Sequence, residues 1–173
     1  MLKAYFYPNS KIKTTTPYFD YFMDGLEDRM VFLNRRSPSG IGILDIFKYL
    51  GRINVAFLNF PEDMIDKRFG FIQFILFTCV IVPFMKLTGK KIVWTMHNSR
   101  SHSEHNKRIK EFLYSLMIRR SDFIVIHSMA GKSIIEQQNK KYLSKIFFFP
   151  HPVQNMGIVD NGVPPVYDYI IWG

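Results

Sequence analysis

Short apolar runs alternate with amphipathic stretches along most of the chain, and turn residues separate them. Residues 2–7 (LKAYFY) read as a first strand, ended by Pro8 and Asn9. Thr16 and Pro17 then supply an N-cap and a first helical position for a helix running to about Leu26. Residues 30–33 are a second strand, and the Ser37-Pro38-Ser39-Gly40 turn leads into a helix near 43–50. Residues 55–60 (VAFLNF) form a third strand, stopped by Pro61, and residues 91–96 (KIVWTM) a fourth. Over 104–119, Ile109, Phe112, Leu113, Leu116 and Met117 recur on one side of a helix. A fifth strand at 123–127 (FIVIH), a helix near 130–138 and a sixth strand at 145–149 (KIFFF) complete the pattern. Strands apolar almost throughout need cover on both faces, and helices between them give parallel pairing. The pattern therefore predicts an α/β domain, a doubly wound, mostly parallel, Rossmann-like sheet with helices on both faces.

The run at 69–87 (FGFIQFILFTCVIVPFMKL) is nearly as long as a bilayer is thick. Gln73, Pro83 and Lys86 interrupt it, and basic residues flank both ends: Lys67 and Arg68, then Lys90 and Lys91. Such flanks give no positive-inside asymmetry, and the run lies between two strand signals. A core helix is expected, with a membrane anchor as the alternative. Residues 153–168 carry Asn161-Gly162 and Pro164-Pro165, which is linker chemistry, and 169–173 (YIIWG) read as one more strand. That strand either begins a second domain or docks on the edge of the first sheet. The expected organisation is a domain over 1–152, a linker over 153–168 and the start of another domain at 169–173.

Charge and cysteine content narrow the setting. With 23 basic against 14 acidic side chains in 173 residues, the net charge is +9. That balance favours anionic partners such as phosphorylated ligands or an anionic membrane. No helix-turn-helix, zinc-finger or aromatic RNA-binding signature accompanies it, so nucleic acid is not an expected partner. The basic side of the 104–119 helix suits peripheral contact with anionic lipid. The single cysteine, Cys79, excludes an internal disulfide framework and a cysteine-based zinc site. With no signal-peptide pattern at the start, a cytoplasmic location is expected, with peripheral attachment to the inner face of the plasma membrane.

Ligands of open parallel sheets bind at the carboxyl ends of the strands, so the residues just past each strand carry the candidate chemistry. These are Asn9, then Asn59, Glu62 and Asp63, then His97, Asn98 and Ser99, then Ser128, then His151. His97 can act as acid or base or donate to a phosphate oxygen; the plainer reading is a histidine bonded to loop backbone. Glu62 and Asp63 suit a general base, or a solvated helix start where acidic side chains meet the dipole. Thr14–Thr16 precede a helix whose free N–H groups could hold phosphate, with Thr16 nearest. Neither a P-loop nor a G-x-G-x-x-G fingerprint is present. The spacing of His97, His102 and His105 completes no zinc signature, so no metal is expected.

The order of these motifs resembles the N-terminal half of a GT-B glycosyltransferase. The carriers are KKIVWTMHNS, an amphipathic helix, FIVIHS, a helix, KIFFFPHPV, a linker and YIIWG, together with FLNFPED at 57–63. The resemblance implies an acceptor-binding domain, completed by a second domain that holds the nucleotide and whose first strand would end at Gly173. It implies transfer from a UDP- or GDP-linked sugar to a glycan or lipid-linked acceptor in cell-surface polysaccharide synthesis, with no cofactor and no metal. His97 matches the family's cleft histidine and Glu62 its acidic position, the base of an inverting transfer. Ser128 and His151 match cleft-facing strand ends. The chain departs from the pattern in its first loop, where Asn9 and the threonines stand in place of Gly-Gly. A non-catalytic α/β binding module is the other reading of the same strand ends.

Overall fold

The computed structural model describes residues 1–9, 18–37, 40–97 and 105–149. Six parallel strands form one sheet in the order β2-β1-β3-β4-β5-β6: β1 Leu2–Tyr7, β2 Met30–Phe32, β3 Val55–Asn59, β4 Lys91–Met96, β5 Phe123–Ile126 and β6 Ile146–Phe148. The chain leaves β1 toward β2 on one side and, after β3, runs steadily the other way. The topological switch point therefore lies between β1 and β3, which pair Phe6 with Phe57 and Tyr7 with Leu58. The expected doubly wound, Rossmann-like fold is the one observed.

Alternate residues of each strand feed two cores. On one face Tyr5, Leu58, Trp94 and Ile124 meet Ile46, Met64, Phe77, Met85, Leu113 and Met117 from the covering helices. On the other, Phe6, Phe32 and Phe57 meet Phe19, Phe22 and Met23 of the Tyr18–Asp24 helix. This second core is an aromatic cluster with edge-on pairs, Phe6 with Phe19 at 5.2 Å and Phe22 with Phe57 at 5.3 Å. Toward β5 and β6 the same face is thinner. Phe123 and Phe147 lie half exposed there, with ring centroids 5.5 Å apart.

Two local structures differ from the expected helices. Gly42–Lys48 is a 3₁₀ segment rather than an α-helix. The Asp45 carboxylate draws the start inward by accepting from the backbone N–H of Gly40 (2.6 Å) and Ile41 (2.9 Å), which suits the tighter 3₁₀ turn. Gly42 has φ +61°, and a Cβ there would meet Gln73 Oε1 at 2.3 Å, so a side chain is excluded. The apolar run forms one helix, Gly70–Leu87, with a π turn at Phe77–Ile81. Pro83 follows at once; it lacks an N–H and its ring needs room at the carbonyl of Cys79, which the wider turn supplies. Phe77, Ile81 and Met85 are wholly buried against the sheet, so the helix serves as a core element. Only a third of it is buried, however. The expected linker at 153–168 and terminal strand at 169–173 lie outside the described residues.

Candidate functional site

The carboxyl ends of β3, β4 and β5 bring Asn59, His97 and His127 together. Asn59, 1% exposed, donates from Nδ2 to the Tyr7 carbonyl at 3.1 Å, which fixes the orientation of its amide. Its Oδ1 then faces His97 Nε2 at 3.1 Å, so Nε2–H is the donor of that bond. The His97 ring stacks on Phe60 with centroids 4.2 Å apart and planes at 16°. Phe60 holds that place with φ +51°, a left-handed conformation uncommon for a bulky side chain and retained where the surroundings over-determine it. His127 lies 5.1 Å from His97, centroid to centroid, and its Nδ1–H donates to the Phe149 carbonyl at 2.6 Å. His127, not its expected neighbour Ser128, stands beside His97. The sequence signal is a histidine at the end of each of two successive strand patterns, and the register that pairs Met96 with Ile126 makes them neighbours.

The other expected residues are dispersed. Ser128 is exposed at the start of the Met129–Gln138 helix, with no side-chain cap bond. Asn9 donates from Nδ2 to the carbonyls of Asn34, Arg35 and Ser37, which ties the loop after β2 to the end of β1. Glu62 sits in the 3₁₀ turn Pro61–Asp66 and is only 5% exposed, so it is not a solvated helix start. It faces the Lys107–Arg120 helix, where the Tyr114 hydroxyl donates to its Oε1 at 3.1 Å. Burial, reinforced by the charge of Asp63, pushes its carboxyl up to about 7. Lys110 and Asp66, paired at 2.5 Å, clamp the same turn to the same helix. Burial and the charges of Asp63 and Glu62 also raise the Tyr7 hydroxyl well above the ordinary tyrosine range. Thr16, Asn98, Ser99 and His151 lie outside the described residues, as does Thr14–Thr15.

A cavity of about 490 Å³ opens at the end of β1, beside the switch point. Its walls include Pro8, Asn9, Ile41, Lys67, Arg68 and Phe69, with the Gln73 amide at its base. Both ends of the Gln73 amide are bonded: Oε1 accepts from Ile43 N–H (3.1 Å) and Nε2 donates to the Arg68 carbonyl (2.7 Å). The cavity and the imidazole pair have separate linings, joined through Tyr7, which lines the first and whose carbonyl holds Asn59 for the second. Among the described residues no group of three His, Cys, Asp or Glu side chains is placed to hold a metal ion. Compared with known proteins, the chain matches no family model, no curated protein and no solved structure.

Proposed function

We propose that this chain is the acceptor-binding half of a glycosyltransferase that moves a sugar from a nucleotide-sugar to a glycan or lipid-linked acceptor in cell-surface polysaccharide synthesis. The observation that carries the reading is the placement of His97. Its imidazole stands at the carboxyl end of β4, held by Asn59 and Phe60, near the switch point where sheets of this order take ligands. The strand-end motifs quoted above support it as a resemblance. In this reading the His97 imidazole takes the proton of the acceptor hydroxyl as that oxygen bonds the anomeric carbon, and the nucleoside diphosphate leaves with the electron pair of the broken bond. Lys67 and Arg68 offer positive charge to a phosphate in the cavity. Glu62, 5% exposed beneath the rim, accepts from the Tyr114 hydroxyl. The donor is UDP- or GDP-linked, its nucleotide held by a second domain, and the reaction runs on the cytoplasmic face of the membrane without cofactor, metal or nucleic acid.

The test is transfer of radiolabelled sugar by the full-length gene product, from a panel of UDP- and GDP-sugars to soluble glycans and polyprenyl-phosphate-linked sugars. Transfer is expected, and His97→Ala is expected to lower it about 100-fold. No transfer from any donor, or transfer untouched by His97→Ala, sinks the reading.

A further inference from the structure

We infer that the outward face of the Gly70–Leu87 helix docks on an anionic lipid surface, lying in the boundary between headgroups and acyl chains rather than crossing it. This inference names the surface for the membrane-face placement in the reading above, and its vesicle test can fail or succeed independently of sugar transfer. Phe71 (63% exposed), Ile72, Ile75, Val80, Phe84 and Leu87 (88% exposed) all present apolar side chains to solvent. Within the helix Lys86 is the single charged residue, and it is turned to Asp122 at 2.9 Å. The π turn decides whether these positions form one surface. An extra residue in a turn sets the second half back by about 100°, the angle between successive α-helical residues. Val80, Phe84 and Leu87 thereby stay on the side of Phe71 and Ile75 instead of winding toward the sheet. The Lys107–Arg120 helix extends the patch, because Phe112 meets Phe74 edge-on at 5.8 Å.

Charge identifies the occupant. Lys67 and Arg68 precede the apolar face, and Arg108 lies one turn before Phe112 on the neighbouring helix; all three are exposed. An apolar stripe with a basic margin matches an anionic lipid surface. A second copy of the chain would set the same basic margin against itself. A membrane span would strip Phe77, Ile81 and Met85 from the core and break the bond between Ile43 N–H and Gln73 Oε1.

The experiment is flotation with vesicles of phosphatidylcholine and phosphatidylglycerol in equal parts, against phosphatidylcholine alone. Binding is expected on the anionic vesicles and is expected to fall about 100-fold in the combined Phe71→Ser, Ile75→Ser and Phe84→Ser variant. Cys79, exposed on the helix and the sole cysteine, gives an independent reading on the unmutated protein. An environment-sensitive fluorophore there is expected to shift to the blue on anionic vesicles, and the protein is expected to leave them in alkaline carbonate. Flotation equal in the serine variant, no spectral shift, or resistance to carbonate each overturns the inference. So does a dimer that binds no vesicle and dissociates in the serine variant.

Discussion

The two places on the carboxyl rim differ in kind. Over β3 to β5, two imidazoles and a buried amide form a titratable group with fixed hydrogen bonds, but the cavity does not extend to them. Beyond β1 there are walls and two cations, and among the described residues none that lines the cavity bears a carboxylate or an imidazole. Proton chemistry and enclosure are thus separated by the width of one strand pair, with the Tyr7 carbonyl and the Asn59 amide as the link. A molecule touching both would have to span the ends of β1, β3 and β4. The lesson is that neither place suffices as a site by itself.

Three substitutions break or sharpen that contrast. The largest effect is expected from Gly70→Ala, which acts on the cavity side. A Cβ at Gly70 would meet the Ile65 carbonyl oxygen at 2.0 Å, and backbone cannot swing aside. We expect a loss of about 3 kcal/mol or more in unfolding free energy. Chemical denaturation that leaves the midpoint in place would show that the Lys67–Gly70 corner yields without cost.

Next comes Glu62→Gln, under the rim. Its folded-state value of about 7 lies above the ordinary 4.5, so between those two values the folded protein holds a proton that the unfolded chain has lost. Stability from this group is full below pH 4.5, declines as pH rises to 7, and stays reduced above it. At about 1.4 kcal/mol per unit the difference reaches ~3 kcal/mol at most. Glu62→Gln is therefore expected to flatten stability against pH and to gain most at pH 8. A variant whose profile parallels the wild type across that range would show that Glu62 titrates as an ordinary carboxyl.

The smallest of the three is Asn59→Ala, which cuts the link itself. Losing the bonds to Tyr7 and His97 is expected to cost about 1–2 kcal/mol. The sharper readout is nitrogen NMR of His97, expected to show the Nε2–H form in the wild type and a mixture in the variant. Unaltered imidazole signals would mean that Phe60 stacking alone orients the ring.

Much of the fold was legible in the sequence because fully apolar strands and a 3.6-residue helical period are local signals. Residues 2–7 and 91–96 are strands as read, and the periodic stretch at 104–119 overlaps the Lys107–Arg120 helix in all but its last residue. The site was less legible because its geometry is tertiary. Pro61-Glu62-Asp63 looks like a solvated helix start until Tyr114, 52 residues away, closes over Glu62. Asn9 lines the cavity on the rim, but its hold on the loop at 34–37 is a tertiary contact that no local pattern announces. His127 needed the β4–β5 register, and the π turn needed the wedge of Pro83 against a helix pressed on a sheet.

Lys67, Arg68 and Phe69 line the cavity, and they also lead directly into the Gly70–Leu87 helix. If a molecule seated against Phe69 shifts the leading edge of the helix's outer face, contact on that edge shifts the cavity in turn. Such linkage is reciprocal in equilibrium terms: the factor by which a surface changes the cavity's affinity equals the factor by which the cavity's occupant changes adhesion to the surface. The occupied protein would then differ from the empty one in its residence time at a bilayer, and a chemical state would be read out as a matter of place.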